Sequence, residues 1–165
     1  GAGSGGTCSV NANPNNPCST TTLASSCFGN RANQASQICN MESAGGLTDV
    51  KSGSDLLNNG TGPSYSVGLW QINLTVHQIG GLNCPAAFSG TCGRGTATPS
   101  STGPFVGGPK VGNCSQRIVN QALYNSCVTA AQNSVNNTQV ACGLYNSGGS
   151  SFQPWRYTAN KCGIP

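Results

Sequence analysis

Apolar residues recur three and four apart from about Asn30 to Ser43, where Ala35, Ile38, Cys39 and Met41 form a stripe. That spacing predicts a helix, with Asn30 as its cap and Gly45 and Gly46 as its stop. From Ser64 to Asn73 the pattern changes: Tyr65, Val67, Leu69 and Trp70 are strand formers behind a turn-rich stretch, and short strands are expected. The longest helical stripe runs from about Ser115 to Asn133. It places Ile118, Val119, Ala122, Leu123, Ala130 and Ala131 on one face, with Ser115 as cap. A further helix is expected from about Thr138 to Asn146, closed by Gly148 and Gly149. A short last one should start near Pro154, which suits a first helical turn. Cys8 to Cys18, with Pro14 and Pro17, reads as irregular, and Gly93 to Gly112 as a long loop. The fold class expected is α+β, mainly α-helical, with a small β element.

Length changes this picture little: 165 residues suit one domain. Residues 1–7 read as a flexible tail or linker stub, and 8–165 as the single domain. The ten cysteines change it more. Their even number in so short a chain predicts about five disulfides and an oxidising compartment, with the pairing left open. Metal binding would need tight clusters, yet the nearest cysteines, Cys84 and Cys92, lie eight apart and His77 is the single histidine. No metal or other cofactor is expected. The chain has no initiator Met and no signal peptide, so a mature, secreted, extracellular protein is expected.

Only 6% of the residues are charged, and the net charge is +4. The basic residues are scattered singly, which argues against a nucleic-acid partner but allows weak attraction to an anionic surface such as a bacterial wall. No apolar run is long enough to span a membrane. A monomer is expected.

Acidic residues are scarcer still: Glu42, Asp49 and Asp55 are the whole set. Nucleophilic catalysis by serine or cysteine would have His77 as its only histidine base, and the cysteines are expected to be oxidised. Carboxyl chemistry is the better candidate. Glu42, the single glutamate, falls in the last turn of the first predicted helix, ahead of a Gly-rich stretch. Burial under Trp70 and Ile72 would raise its pKa and keep it protonated near neutral pH.

The segment Met41-Glu42-Ser43-Ala44-Gly45-Gly46, followed by Tyr65-Ser66-Val67-Gly68-Leu69-Trp70-Gln71-Ile72-Asn73, resembles the signature of the lysozyme superfamily. In its lytic transglycosylases and related muramidases, a Glu-Ser pair ends a helix and a G-L-x-Q strand lines the cleft. Leu144-Tyr145-Asn146-Ser147-Gly148-Gly149 is similar to the A-Y-N-A-G motif of the transglycosylase branch, and Pro154-Trp155 to a pair near the end of such domains. The three motifs stand in the family's order and cover most of the chain. The resemblance implies a lysozyme-like catalytic domain over residues 8–165, acting on bacterial peptidoglycan. Glu42 would protonate the glycosidic oxygen as the β-1,4 bond to N-acetylmuramic acid breaks. Ser43 would hold substrate or orient Glu42. Gln71, with Ser66 and Asn73 on the same strand segment, would meet sugar amide or hydroxyl groups. Tyr145 and Asn146 would steady the sugar next to the scissile bond. Trp155 is expected to pack, and Trp70 either to pack or to line the cleft.

Departures from the family pattern bear on mechanism. Chicken-type lysozymes carry a catalytic aspartate where this chain has Ser66, and goose-type enzymes an acidic residue where it has Asn73. Two mechanisms remain. Asp49 or Asp55 could activate water on the far side of the sugar, an inverting hydrolysis that needs roughly 6.5–9.5 Å between carboxyls. Otherwise the muramic 6-hydroxyl attacks, with Glu42 acting alone, and gives a 1,6-anhydro product. Hydrolysis is the reading taken, because two aspartates are kept in a chain that otherwise avoids acids. A turn-capping role would explain either of them equally well. A non-catalytic glycan-binding protein and an enzyme acting on chitin are the other readings. His77 is expected to pack or lie at the surface. Of the sequons at Asn59, Asn73, Asn113 and Asn136, the one at Asn73 should be bare if the cleft lies there.

Overall fold

A computed structural model describes residues 8–90 and 115–165. The expected tail at 1–7, the loop at 93–112, the Asn113 sequon and Cys92 and Cys114 lie outside the described residues. The chain is α+β and mainly helical, as its pattern predicted. Six helices, α1 (Thr20–Ala24), α2 (Ala32–Glu42), α3 (Leu57–Gly60), α4 (Gln121–Ala131), α5 (Ser134–Ser147) and α6 (Arg156–Lys161), are described. Four two-residue strands accompany them: β1 (Ser66–Val67), β2 (Ile72–Asn73), β3 (Phe88–Ser89) and β4 (Arg117–Ile118).

The helix predicted over 30–43 is α2, entered through a 3₁₀ turn at Gly29–Arg31, so Asn30 is not its cap. Its buried face includes Ala35, Ile38 and Met41. It stops where Ala44, Gly45 and Gly46 all take left-handed backbone. Gly46 also needs its missing Cβ, because a side chain there would overlap Asn16, whose amide donates to Gly45 O at 2.9 Å. The helix predicted from Ser115 starts later, at Gln121. Asn120 caps it by accepting from Leu123 N, while Arg117 and Ile118 are drawn into the β3–β4 pair. α5 starts earlier than predicted because Asn133 caps it through Asn136 N. α1 was not predicted at all; Ser19 caps it.

β1 and β2 form an antiparallel hairpin, Ser66 opposite Asn73 and Val67 opposite Ile72, closed by Gly68–Gln71. The hairpin joins two hydrophobic cores. Leu69, Trp70 and Ile72 enter one, with Leu23, Phe28, Ile38, Tyr145, Phe152 and Trp155. Val67 and the following Leu74 enter the other, with Leu57, Tyr65, Ile79, Tyr124 and Val128. Trp70 is fully buried and stacked 5.1 Å from Phe28, so it packs rather than lining a cleft. Trp155 packs too, its indole N–H donating to Trp70 O at 2.9 Å.

Asn137, buried on α5, pins the hairpin. Its Oδ1 accepts from Trp70 N at 2.7 Å, and its amide donates to Val67 O at 3.0 Å and Ala131 O at 2.8 Å. Four disulfides are described: Cys8–Cys162, Cys18–Cys39, Cys27–Cys142 and Cys84–Cys127. Among the described residues, no helix is long and apolar enough to cross a membrane.

Candidate functional site

Glu42 is the last residue of α2 and has no exposed surface. Its Oε1 accepts a hydrogen bond from the Thr158 hydroxyl of α6 at 2.7 Å. Its pKa is raised from 4.5 to about 7: burial is the largest influence, the amino-terminal charge and the Thr158 hydrogen bond oppose it, and the charge of Asp55 adds a smaller push upward. A carboxyl so placed keeps its proton up to about neutral pH, well above an ordinary glutamate.

Asp55 precedes β1 and is 4% exposed. Ser66 on β1 donates to Asp55 Oδ2 at 2.7 Å. Backbone bonds hold the loop that bears it against the hairpin: Tyr65 N donates to Asp55 O at 2.9 Å, Ser52 N to Ser66 O at 3.2 Å, and Gly68 N to Val50 O at 2.7 Å. The fold thus brings Asp55 near enough for its charge to act on Glu42. Asp49, the other aspartate considered as a base, is exposed. Tyr65 is raised to about 12, by burial first and by Asp55 second, so it stays protonated.

The remaining predicted residues divide. Ser43 is fully buried, its hydroxyl donating to Cys39 O at 2.5 Å and accepting from Gly46 N at 2.9 Å, which shapes the turn after Glu42. Gln71 adopts left-handed backbone at φ 51°, and its Nε2 donates to Val50 O at 3.1 Å and Gly68 O at 3.0 Å. Its Oε1 is buried with no hydrogen-bond partner among the described residues. Asn73 is half-buried and accepts from Thr75 N at 2.9 Å and Thr75 Oγ1 at 2.6 Å, an Asx turn. Tyr145 is buried in the aromatic cluster, its ring 5.0 Å from both Phe28 and Phe152, whereas Asn146 is exposed. His77 is half-buried, and burial lowers its pKa, so it is neutral at pH 7.

Thr158 and Asn137 were missed by sequence reasoning. Asn137 is one of many Asn residues and carries no distinguishing local signal. Thr158 had a faint one, standing one helical turn before Cys162 and so on the side of the helix that a disulfide would fix. A cavity of about 390 Å³ lies elsewhere, between α1 and α5, lined chiefly by Leu23, Val135 and the Cys27–Cys142 disulfide; none of the predicted site residues lines it. Among the described residues, no group of three or more His, Cys, Asp or Glu side chains is disposed to hold a metal ion. In comparisons with known proteins, no family model, no curated protein and no solved structure matches the chain.

Proposed function

We propose that this protein is a secreted muramidase with a lysozyme-like fold. It hydrolyses the β-1,4 bond between N-acetylmuramic acid and N-acetylglucosamine in bacterial peptidoglycan. Glu42 is the general acid and Asp55 the base that activates water, an inverting reaction. The observation that carries the reading is the buried Glu42 carboxyl, raised to about 7 and sharing its surroundings with a second buried carboxyl. An acid that keeps its proton to about neutral pH and a second carboxyl near it are what acid–base cleavage of a sugar bridge requires. Ser66 orients Asp55, Ser43 fixes the turn that presents Glu42, and Gln71 and Asn73 offer amides to the sugar. Glu42 has no exposed surface, so the packing around it must open for a glycan strand to reach it. The net charge of +4 favours encounter with an anionic wall.

The test is digestion of purified peptidoglycan followed by mass spectrometry of the muropeptides. Wild type should release hydrolysed, reducing-end products, and Glu42→Gln should lower the rate by about 10²-fold or more. Asp55→Asn should do the same. Anhydro products that persist in Asp55→Asn would assign the transglycosylase reaction, with Glu42 acting alone. A second reading is favoured by the complete burial of Glu42: a non-catalytic glycan-binding protein in which Glu42 is structural. Wild type would then bind peptidoglycan and release nothing.

A further inference from the structure

Glu42 and Thr158 stand 116 residues apart in sequence, yet their side chains meet at 2.7 Å in the interior. Thr158 is 2% exposed, so its hydroxyl has no water to return to. The helix that carries it is only six residues long and could not hold a fixed position unaided. It is tied at both ends. Before its first turn, the Trp155 indole donates to Trp70 O at 2.9 Å. Just past its last residue, Cys162 is bonded to Cys8, and Cys162 N donates to Thr158 O at 3.0 Å.

We propose that Thr158 is a positioning residue that sets when Glu42 gives up its proton, and that α6, anchored by Trp155 and by the Cys8–Cys162 disulfide, keeps it there. A hydroxyl that donates to a carboxylate favours the charged form, against burial and against Asp55. The amino-terminal charge acts in the same direction as the hydroxyl, and it is present in wild type and variants alike. The titratable side chains of α2, α5 and α6 nearest in sequence are engaged elsewhere or exposed. Arg156 and Tyr157 of α6 bond each other at 2.8 Å, and Lys161 is exposed. Tyr145 of α5 stands among aromatic rings. Arg31, at the start of α2, donates to Ser150 O and Pro165 O. The link from this proton to catalysis rests on the reading of Glu42 as the general acid; the link from Thr158 to the proton does not.

Glu42 is the only glutamate of the chain, so selective ¹³C-glutamate labelling gives a single carboxyl resonance to titrate. In the intact, disulfide-bonded protein, Thr158→Val should raise the Glu42 pKa by about one pH unit, a roughly tenfold change in its dissociation constant. Thr158→Ser, which keeps the hydroxyl, should hold the wild-type value. Should Thr158→Val fail to fold, Thr158→Ala must move the resonance in the same direction. An unmoved or lowered pKa in the variants lacking the hydroxyl would overturn the proposal, whatever the activity. The alkaline limb of the rate on peptidoglycan should follow the NMR titration upward in Thr158→Val. A moved resonance without a moved limb, or without any activity, would leave the assignment of Thr158 standing and remove the catalytic reading of Glu42.

Discussion

Replacing Glu42 by Gln measures what the buried charge does to the fold. The carboxyl titrates at 4.5 in an ordinary setting and at about 7 in the folded protein, chiefly because burial penalises its charged form. The folded state therefore holds this proton more tightly than the unfolded chain does. The resulting stabilisation is complete below about pH 4.5 and is lost as pH rises through about 7. At about 1.36 kcal/mol per pKa unit, the loss between pH 4 and pH 8 is about 3 kcal/mol. Gln keeps the shape, never ionises, and can still accept the Thr158 hydroxyl. Glu42→Gln should change stability by less than about 0.5 kcal/mol near pH 4 and raise it by about 3 kcal/mol at pH 8. Urea unfolding at pH 4, 6 and 8, with the disulfides kept oxidised, gives the comparison. His77 is present in both proteins, so to first order its titration cancels in the difference. A difference that does not grow with pH, or a variant weaker than wild type at pH 8, would refute the assignment of a costly buried charge to Glu42.

Gly68→Ala should lose about 3 kcal/mol or more, seen as a lowered Tm, because Gly68 sits at φ 86° and a Cβ there would overlap Ala131 O and the Asn137 amide. An unchanged melt would contradict the pinned hairpin. Opening Cys8–Cys162 with paired serines should cost about 4 kcal/mol, less than its sequence span implies. Cys27–Cys142 already shortens the ring it closes to about 40 residues. Denaturant unfolding checks the size, and a cost below about 1 kcal/mol would show that the chain ends are held by packing instead.

The parts of this fold that sequence reasoning reached are those specified locally. The stripe Ala35, Ile38 and Met41 with a glycine stop fixes where α2 ends, and hence where Glu42 stands. What it missed is specified from afar. Ile118 fits the periodicity of the next helix, but pairing with Phe88 takes it into a strand, and Val119 beside it is left 59% exposed. α1 has one buried residue, Leu23, too few to make a pattern, and its start is fixed by the Ser19 cap. In the site, Glu42 could be picked out because it is the single glutamate. Asp55 could not be separated from Asp49, because what distinguishes them is burial and the Ser66 hydroxyl, both products of tertiary packing. Thr158 comes from the far end of the chain, and its one faint signal, a place one turn before Cys162, does not point to Glu42.

The placement of the acids is costly for a protein so poor in charge. Two of its three carboxyls are buried, whereas every described Lys and Arg is exposed or half-buried. Stability alone would favour apolar side chains at both places, since a buried carboxylate is costly even when paired. The Thr158 hydroxyl donates to Glu42, and the Ser66 hydroxyl to Asp55. Burial outweighs the influences that lower it, the Thr158 hydroxyl among them, and lifts Glu42 to about 7. Burying Glu42 therefore gives up stability at the position where a proton donor is useful, the trade expected where a fold serves chemistry.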